Sequence, residues 1–357
     1  MMKFRLTPGP FLRSERTTHS IMVELSCVLA FVYLYSLIFY FARVGSYYGL
    51  RAILIGVFAL LGSLVVDVIV ALIKKQRTVK EIWHHISYSY SYVTALIFAL
   101  TMPVGVSYYA VILGSAFATF IGKVIFGGFG YNIVNPAGIG RIFVAVSFSL
   151  AVPKIPGLVD ATTGATLTSS INWITGTIGS GHSLQDLFLG LYVGTIGETY
   201  TFLLIICGIY LFARGICDYR QGLSYLGGTF IMTLILGLLF HVTNPFEYAL
   251  IHLCSGGLMF GAIFMISDPV TGPTTQLGKV IYGLGAAFLT VLIRVCGNMP
   301  EGVVFSIVLM NLFTPLIESA IKGRAKEHLP RKWGIVVGML VVATFIVYGI
   351  SVIGGAL

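Results

Sequence analysis

Residues Leu50 to Ile73, "LRAILIGVFALLGSLVVDVIVALI", run for 24 positions with two charged side chains, Arg51 at the outset and Asp67 well inside. A helix needs about 20 apolar residues to cross a ~30 Å hydrocarbon layer, and only helices and closed barrels satisfy every backbone N–H and C=O there. Comparable runs recur near Ile21 to Phe41, Tyr88 to Met102, Tyr108 to Ile125, Ile139 to Val152, Thr201 to Ala213, Gly222 to Phe240, Tyr248 to Ile266, Leu277 to Cys296, Val303 to Ile321 and Trp333 to Ile353. Only 10% of the 357 residues are charged, against about 25% in soluble domains. The expectation is an all-α polytopic membrane protein with ten to eleven transmembrane helices.

Threading these runs alternately from a cytoplasmic N-terminus sorts the basic residues. One side collects Lys74, Lys75, Arg77, Lys80, Arg214, Arg220, Lys279, Lys322, Arg324, Lys326, Arg331 and Lys332; the other receives Arg43, Arg51 and Lys154. Loops rich in Lys and Arg stay cytoplasmic, so the asymmetry sets the orientation. The net charge of +9 is dispersed in this way between apolar runs, which argues against nucleic-acid binding. Residues 1–20 hold no apolar core or cleavage site and read as a cytoplasmic tail.

Residues 153–200 form the one long loop and fall outside the membrane in this threading. They divide the chain into a first membrane repeat over 21–152 and a second over 201–321, followed by a basic linker and extra C-terminal helix over 322–357. Five spans before the loop invert the second half relative to the first, as in many transporter-like folds. "IGKVIFGG" from Ile121 and "LGKVIYGLG" from Leu277 are a weak internal echo.

Two polar breaks interrupt the apolar runs: "FGGFGYNIVNPAGIGRIF" from Phe126 and "SDPVTGPTTQLGK" from Ser267. Unwound backbone at membrane depth must line a cavity or be buried in protein, and paired breaks point to a binding site. Asn132, Asn135, Ser267, Asp268 and Thr271 are the candidates there, and ordinary cytoplasmic loops are the alternative. Asp67, costly inside a span, is a candidate for an ion pathway or a buried interhelical hydrogen bond. Arg294, near the end of its span, is expected to snorkel outward. Adjacent His84 and His85 point about 100° apart on a helix and make no ligand pair. The five cysteines show no CxxC spacing, so no metal site and no catalytic constellation is read.

The long loop contains "DATTGAT", Asp160 to Thr166. Its small residues, Gly164 and Ala165, let the backbone enter a narrow active site while a hydroxyl is presented. The pattern, with Asp160 and Thr163 at its fixed positions, resembles the acceptor motif for covalent FMN, whose phosphate an exported flavin transferase joins to the last hydroxyl, here Thr166. "FGGFGYNIVNPA", "IHLCSGGLMFGAIFMISDPVTGPTTQLGKVIYG" and "GNMPEGVVFSIVLMNLFTPLIE" resemble the membrane subunit shared by two ion-pumping redox complexes: the D subunit of the Rnf complex and the B subunit of the sodium-translocating NADH:quinone reductase. The short N-terminal tail looks like the Rnf branch, and Val124 stands where the quinone reductase tends to carry a glutamate.

The resemblance implies a flavin-bearing, redox-driven translocase subunit of a bacterial or archaeal cytoplasmic (inner) membrane. It further implies FMN on Thr166, a non-covalent riboflavin near the breaks, Na⁺ or H⁺ as the moved ion, and other Rnf-type subunits as partners. It places acidic family positions at Asp67 and Glu318. The chain alone holds no nucleotide or ferredoxin site, so no complete active site is expected. Relatives of this kind end with ten spans, which makes the run from Trp333 a departure. A quinone reductase B subunit and a small-solute channel or carrier on the same inverted repeat are the alternative readings.

Overall fold

The computed structural model describes residues 16–76, 78–148, 171–177, 183–192, 194–297, 302–321 and 329–353. The attachment motif, with Asp160, Thr163, Gly164, Ala165 and Thr166, lies outside the described residues, as do most of the N-terminal tail and the linker 322–328. The first half contains α1 (Thr18–Phe39, continued by a π turn Tyr40–Val44), α2 (Ser46–Ile73), α3 (Val79–Ser89), α4 (Ser91–Leu100), α5 (Tyr108–Thr119, with a π turn Phe120–Val124) and α6 (Pro136–Ser147). After the short α7 (Leu184–Leu189) come α8 (Thr201–Ala213), α9 (Tyr219–Leu239), α10 (Pro245–Cys254), α11 (Leu258–Phe260, with a π turn Gly261–Met265), α12 (Gln276–Gly297), α13 (Gly302–Ile321) and α14 (Leu329–Ile353).

The protein is an all-α polytopic membrane protein, and each of the eleven expected runs carries a helix. Among the described residues only five helices are long and apolar enough to cross a membrane alone: Thr18–Val44, Ser46–Ile73, Tyr219–Leu239, Gln276–Gly297 and Gly302–Ile321. The pair Pro245–Cys254 and Leu258–Met265, bent by 65°, makes a sixth. The remaining apolar helices, such as Ser91–Leu100 and Pro136–Ser147, are 10–17 residues long. Several of the eleven runs are shortened by irregular backbone, which membrane depth tolerates when protein surrounds it.

Small residues set how closely the helices pack. The buried face of α2 carries Ala52, Gly56, Ala59, Gly62 and Ser63. A Cβ on Gly62 would sit 2.5 Å from the Ile112 carbonyl oxygen of α5, and Ser115 Oγ of α5 donates to the Ala59 carbonyl at 2.5 Å. Where lipid removes the hydrophobic drive between helices, such close van der Waals packing and interhelical hydrogen bonding take its place. Large apolar side chains such as Ile38, Ile73 and Ile209 face outward, as a hydrocarbon surround requires.

The halves share a neighbour pattern. In the first, α2 packs on α4 and α5, and α5 on α6; in the second, α9 packs on α10 and α12, and α12 on α13. The counterparts α1 and α8, and α6 and α13, touch each other where the halves meet. The sequence echo does not mark this correspondence: Ile121 to Gly128 closes α5, whereas Leu277 to Gly285 opens α12. The departure α14 packs against α9 and α12, with Tyr348 against Phe240 at 5.8 Å.

Candidate functional site

Each half contains a helix junction with left-handed backbone. In the first, Tyr90 adopts a left-handed conformation, φ 51°, between α3 and α4, which strains a bulky residue. In the second, Gly256 and Gly257, φ 64° and 69°, separate α10 from α11. Both breaks free backbone groups that must find partners.

The second break is closed by Arg294, which does not snorkel. It is fully buried, and its guanidinium donates to the carbonyls of His252 at 2.7 Å, Ser255 at 2.8 Å and Gly256 at 3.3 Å. Trp173 covers the guanidinium at 4.9 Å. The planar fork suits several carbonyls at once, so the expected outward reach loses to an inward demand for donors. Arg51 does the same beyond α4, donating to Val104, Gly105 and Val106 carbonyls at 3.1, 3.2 and 2.8 Å.

The first break is met by Asp67 and Lys123, each 3% exposed. Asp67 accepts from Ser89 Oγ at 2.6 Å and Ser91 Oγ at 3.0 Å. Lys123 Nζ donates to the Ser89 carbonyl and, at 3.3 Å, to Ser91 Oγ. An open cleft runs from this cluster past Lys74, His84, His85 and Tyr88. Both buried-bond and ion-pathway roles were open for Asp67 in the sequence; the hydrogen bonds are present, and the cleft gives the carboxylate access to a wet surface.

The two polar breaks singled out in the sequence come together. Asn132, Asn135, Ser267 and Asp268 line one cleft with Lys123, Phe129 and Phe264. The enclosed space is small, about 90 Å³, below the ~300–1,000 Å³ of typical ligand clefts. Asn135 caps α6, accepting from Gly138 N at 3.2 Å, and Pro136 follows at the first helical position, where its missing N–H costs nothing. Its amide donates to the Met265 carbonyl at 3.2 Å, and its backbone N–H donates to Asn311 Oδ1 at 2.9 Å. These bonds tie the polar segment from Phe126 to the second half. Asp268 is held by the Val270 N–H at 3.0 Å, and Ser267 Oγ donates to the Ala262 carbonyl at 2.7 Å.

Two candidates stand apart from this cleft. Thr271 does not line it; it is buried, with its carbonyl accepting from Thr314 at 3.0 Å. Glu318 lines neither cleft and clamps the loop before α12, accepting from the N–H and hydroxyl of Thr274, both at 2.6 Å. Sequence reasoning missed Lys123 as a site residue. The signal was a lysine in an apolar run, "TFIGKVIFGG", with the same Gly-Lys step that elsewhere sits at the membrane surface.

On the basic face outside the spans, Asp218 pairs with Lys279 at 2.5 Å and Arg220 at 3.5 Å. Partial burial works against its charge, but the Lys279 hydrogen bond and the Arg220 N–H outweigh it and hold the carboxyl below the ordinary carboxylate range.

The geometry is thus a polar cleft assembled from both halves beside a buried carboxylate and ammonium. The D subunit of the Na(+)-translocating ferredoxin:NAD(+) oxidoreductase complex of Acetobacterium woodii is 32% identical over 333 residues, covering 90% of this chain and 95% of that relative. The D subunit of the proton-translocating ferredoxin:NAD(+) oxidoreductase complex of Clostridium ljungdahlii is 38% identical over 239 residues, 64% of this chain and 71% of the relative. The B subunit of the Na(+)-translocating NADH-quinone reductase of Azotobacter vinelandii is 34% identical over 249 residues, 67% and 62% of the two chains. The family model described as NQR2, RnfD, RnfE matches residues 5–326, stopping before α14. With both halves and both breaks inside that match, this chain belongs to the NQR2, RnfD, RnfE family.

Proposed function

We propose that this chain is the D-type membrane subunit of an ion-translocating ferredoxin:NAD(+) oxidoreductase complex, relaying electrons through flavin while Na⁺ or H⁺ crosses the membrane. The observation that carries the reading is the coverage: the Acetobacterium woodii protein matches along 90% of the chain, and the cleft built from both polar breaks lies within it. The setting is a bacterial or archaeal cytoplasmic membrane, with the N-terminus cytoplasmic and the 153–200 loop outside. Other subunits of such a complex would carry ferredoxin and NAD chemistry.

Two flavins have places in this reading. Thr166 would receive FMN through a phosphoester made by a flavin transferase, with Asp160, Thr163, Gly164 and Ala165 forming the recognised turn. A riboflavin would sit in the cleft, which must open beyond its enclosed 90 Å³ to admit the ring: Asn132 and Asp268 would supply polar contacts, and Phe129 and Phe264 flat apolar walls. Bound there, a flavin supplies one- and two-electron transfer. The protein's own part is to hold the ring between two halves that Asn135 pins together, and to keep Lys123 beside it as positive charge. Asp67, at the foot of the wet cleft, would take up the moved ion.

A denaturing gel viewed under ultraviolet light tests the tether. Thr166→Ala should abolish the fluorescent band while leaving extractable flavin; a retained band refutes the attachment. A small-solute carrier would purify without flavin of either kind and without need of a flavin transferase.

A further inference from the structure

Lys123 lines both clefts. It borders the wet cleft with Asp67, Lys74, His84 and His85, and it borders the cleft with Asn132, Asn135 and Asp268. Phe129, whose ring lies 5.5 Å from the ammonium, is the other residue common to the two walls. The ammonium reaches Asp67 through a chain, from Nζ to Ser91 Oγ at 3.3 Å and from Ser91 Oγ to Asp67 Oδ1 at 3.0 Å. The two carboxylates whose charge acts on it are Asp67 and Asp268, one on each side. One cation therefore stands between two anionic positions in a site with almost no exposure.

A lysine can serve such a site in a way an arginine cannot. Its ammonium is a compact charge on a flexible stem, free to turn between partners. Inside protein, charges a few ångströms apart interact far more strongly than in water, and hydrogen-bonded chains polarise together. Drawing the ammonium toward one cleft must weaken its support of the carboxylate in the other.

We infer that Lys123 is the positioning residue that couples the two clefts: a gain of negative charge in the Asn132–Asp268 cleft draws its ammonium off Ser89 and Ser91, and Asp67 compensates by taking a proton or cation. This rests on the reading of that cleft as a cofactor site. Asp67 also faces Lys74, His84 and His85 across the wet cleft; these lie on one side only and are not shared with the cofactor side.

Infrared difference spectroscopy on the assembled complex, oxidised against chemically reduced, tests the coupling, with non-covalent flavin measured on the same samples. Asp67→Asn identifies the Asp67 carboxyl band by its loss. In Lys123→Met samples that retain reducible flavin, the Asp67 response should be largely lost. Lys123→Arg should restore part of it. A response of full size in Lys123→Met overturns the inference. If the wild-type complex holds no non-covalent flavin, the cofactor reading fails separately, and Asp268→Asn then decides the lysine. The change should shift the pH at which the Asp67 band titrates in the wild-type background and not in Lys123→Met; equal shifts in both overturn the inference. The same cycle decides if Lys123→Met loses its flavin, and Lys123→Gln replaces it if the Met variant does not assemble.

Discussion

The break at Tyr90 precedes α4 and the break at Gly256–Gly257 follows α10, and opposite chemistry fills them. Arg294 closes the second with a guanidinium fixed on three carbonyls under Trp173. The first is met by Asp67, two serine hydroxyls and Lys123, beside two clefts. An arginine never gives up its proton in a protein, so the second break is a permanent seal. Carboxylate, hydroxyl and ammonium all exchange partners, so the first break can change state. The two breaks thus differ in kind: one is locked by a fixed fork, and the other lies beside two clefts.

Changing Arg294 should break this comparison most visibly. Arg294→Met leaves three buried carbonyls without donors, a cost of about 3 kcal/mol or more. The expected result in detergent is loss of the monodisperse peak or a large fall in melting temperature, and Arg294→Lys should recover only part because a point charge cannot span the three oxygens. Arg51→Ala removes a similar fork from a partly exposed site, and its destabilisation should be smaller, about 1–2 kcal/mol. Asp67→Asn should cost less still, about 1 kcal/mol, because an amide oxygen continues to accept from a serine. Ion transport by reconstituted complex should nevertheless fall to background in that variant while covalent flavin stays. Undiminished pumping would return Asp67 to a structural role.

The smallest expected effect lies outside the spans. Asp218 is held below its ordinary range by Lys279 and Arg220. A depressed carboxylate contributes stability that is complete above its unfolded value and disappears as pH falls through its folded value. Asp218→Asn should therefore lower the melting temperature slightly at neutral pH, by an amount of order 1 kcal/mol or less, and the difference from wild type should vanish in acid below the usual carboxylate range.

Sequence carried much of the fold because membrane insertion depends on composition over windows of about 20 residues, and composition can be read directly. It located both polar breaks through Gly, Asn and Pro, and four of the five cleft candidates do share one wall. Two features were hidden. "SYSYSYV" around Tyr90 has no glycine or proline to announce a left-handed residue, so α3 and α4 read as one helix start. Lys123 and Arg294 look like interface residues, because a span's end and a buried helix break call for the same basic side chains; only tertiary contacts tell them apart. Thr271 lies off the cleft wall with its hydroxyl turned to Asp268 at 3.4 Å, a side-chain direction that pattern does not resolve.

The central claim is that one chain carries two separately held flavins, and partition of flavin between denatured protein and extract measures it directly. Wild-type complex should show both pools. Thr166→Ala should lose the protein-bound pool and keep the extractable one, while Asp268→Leu, which removes a polar contact and fills the cleft, should do the reverse. A protein-bound pool that survives Thr166→Ala, or an extractable pool untouched by Asp268→Leu, would contradict the account.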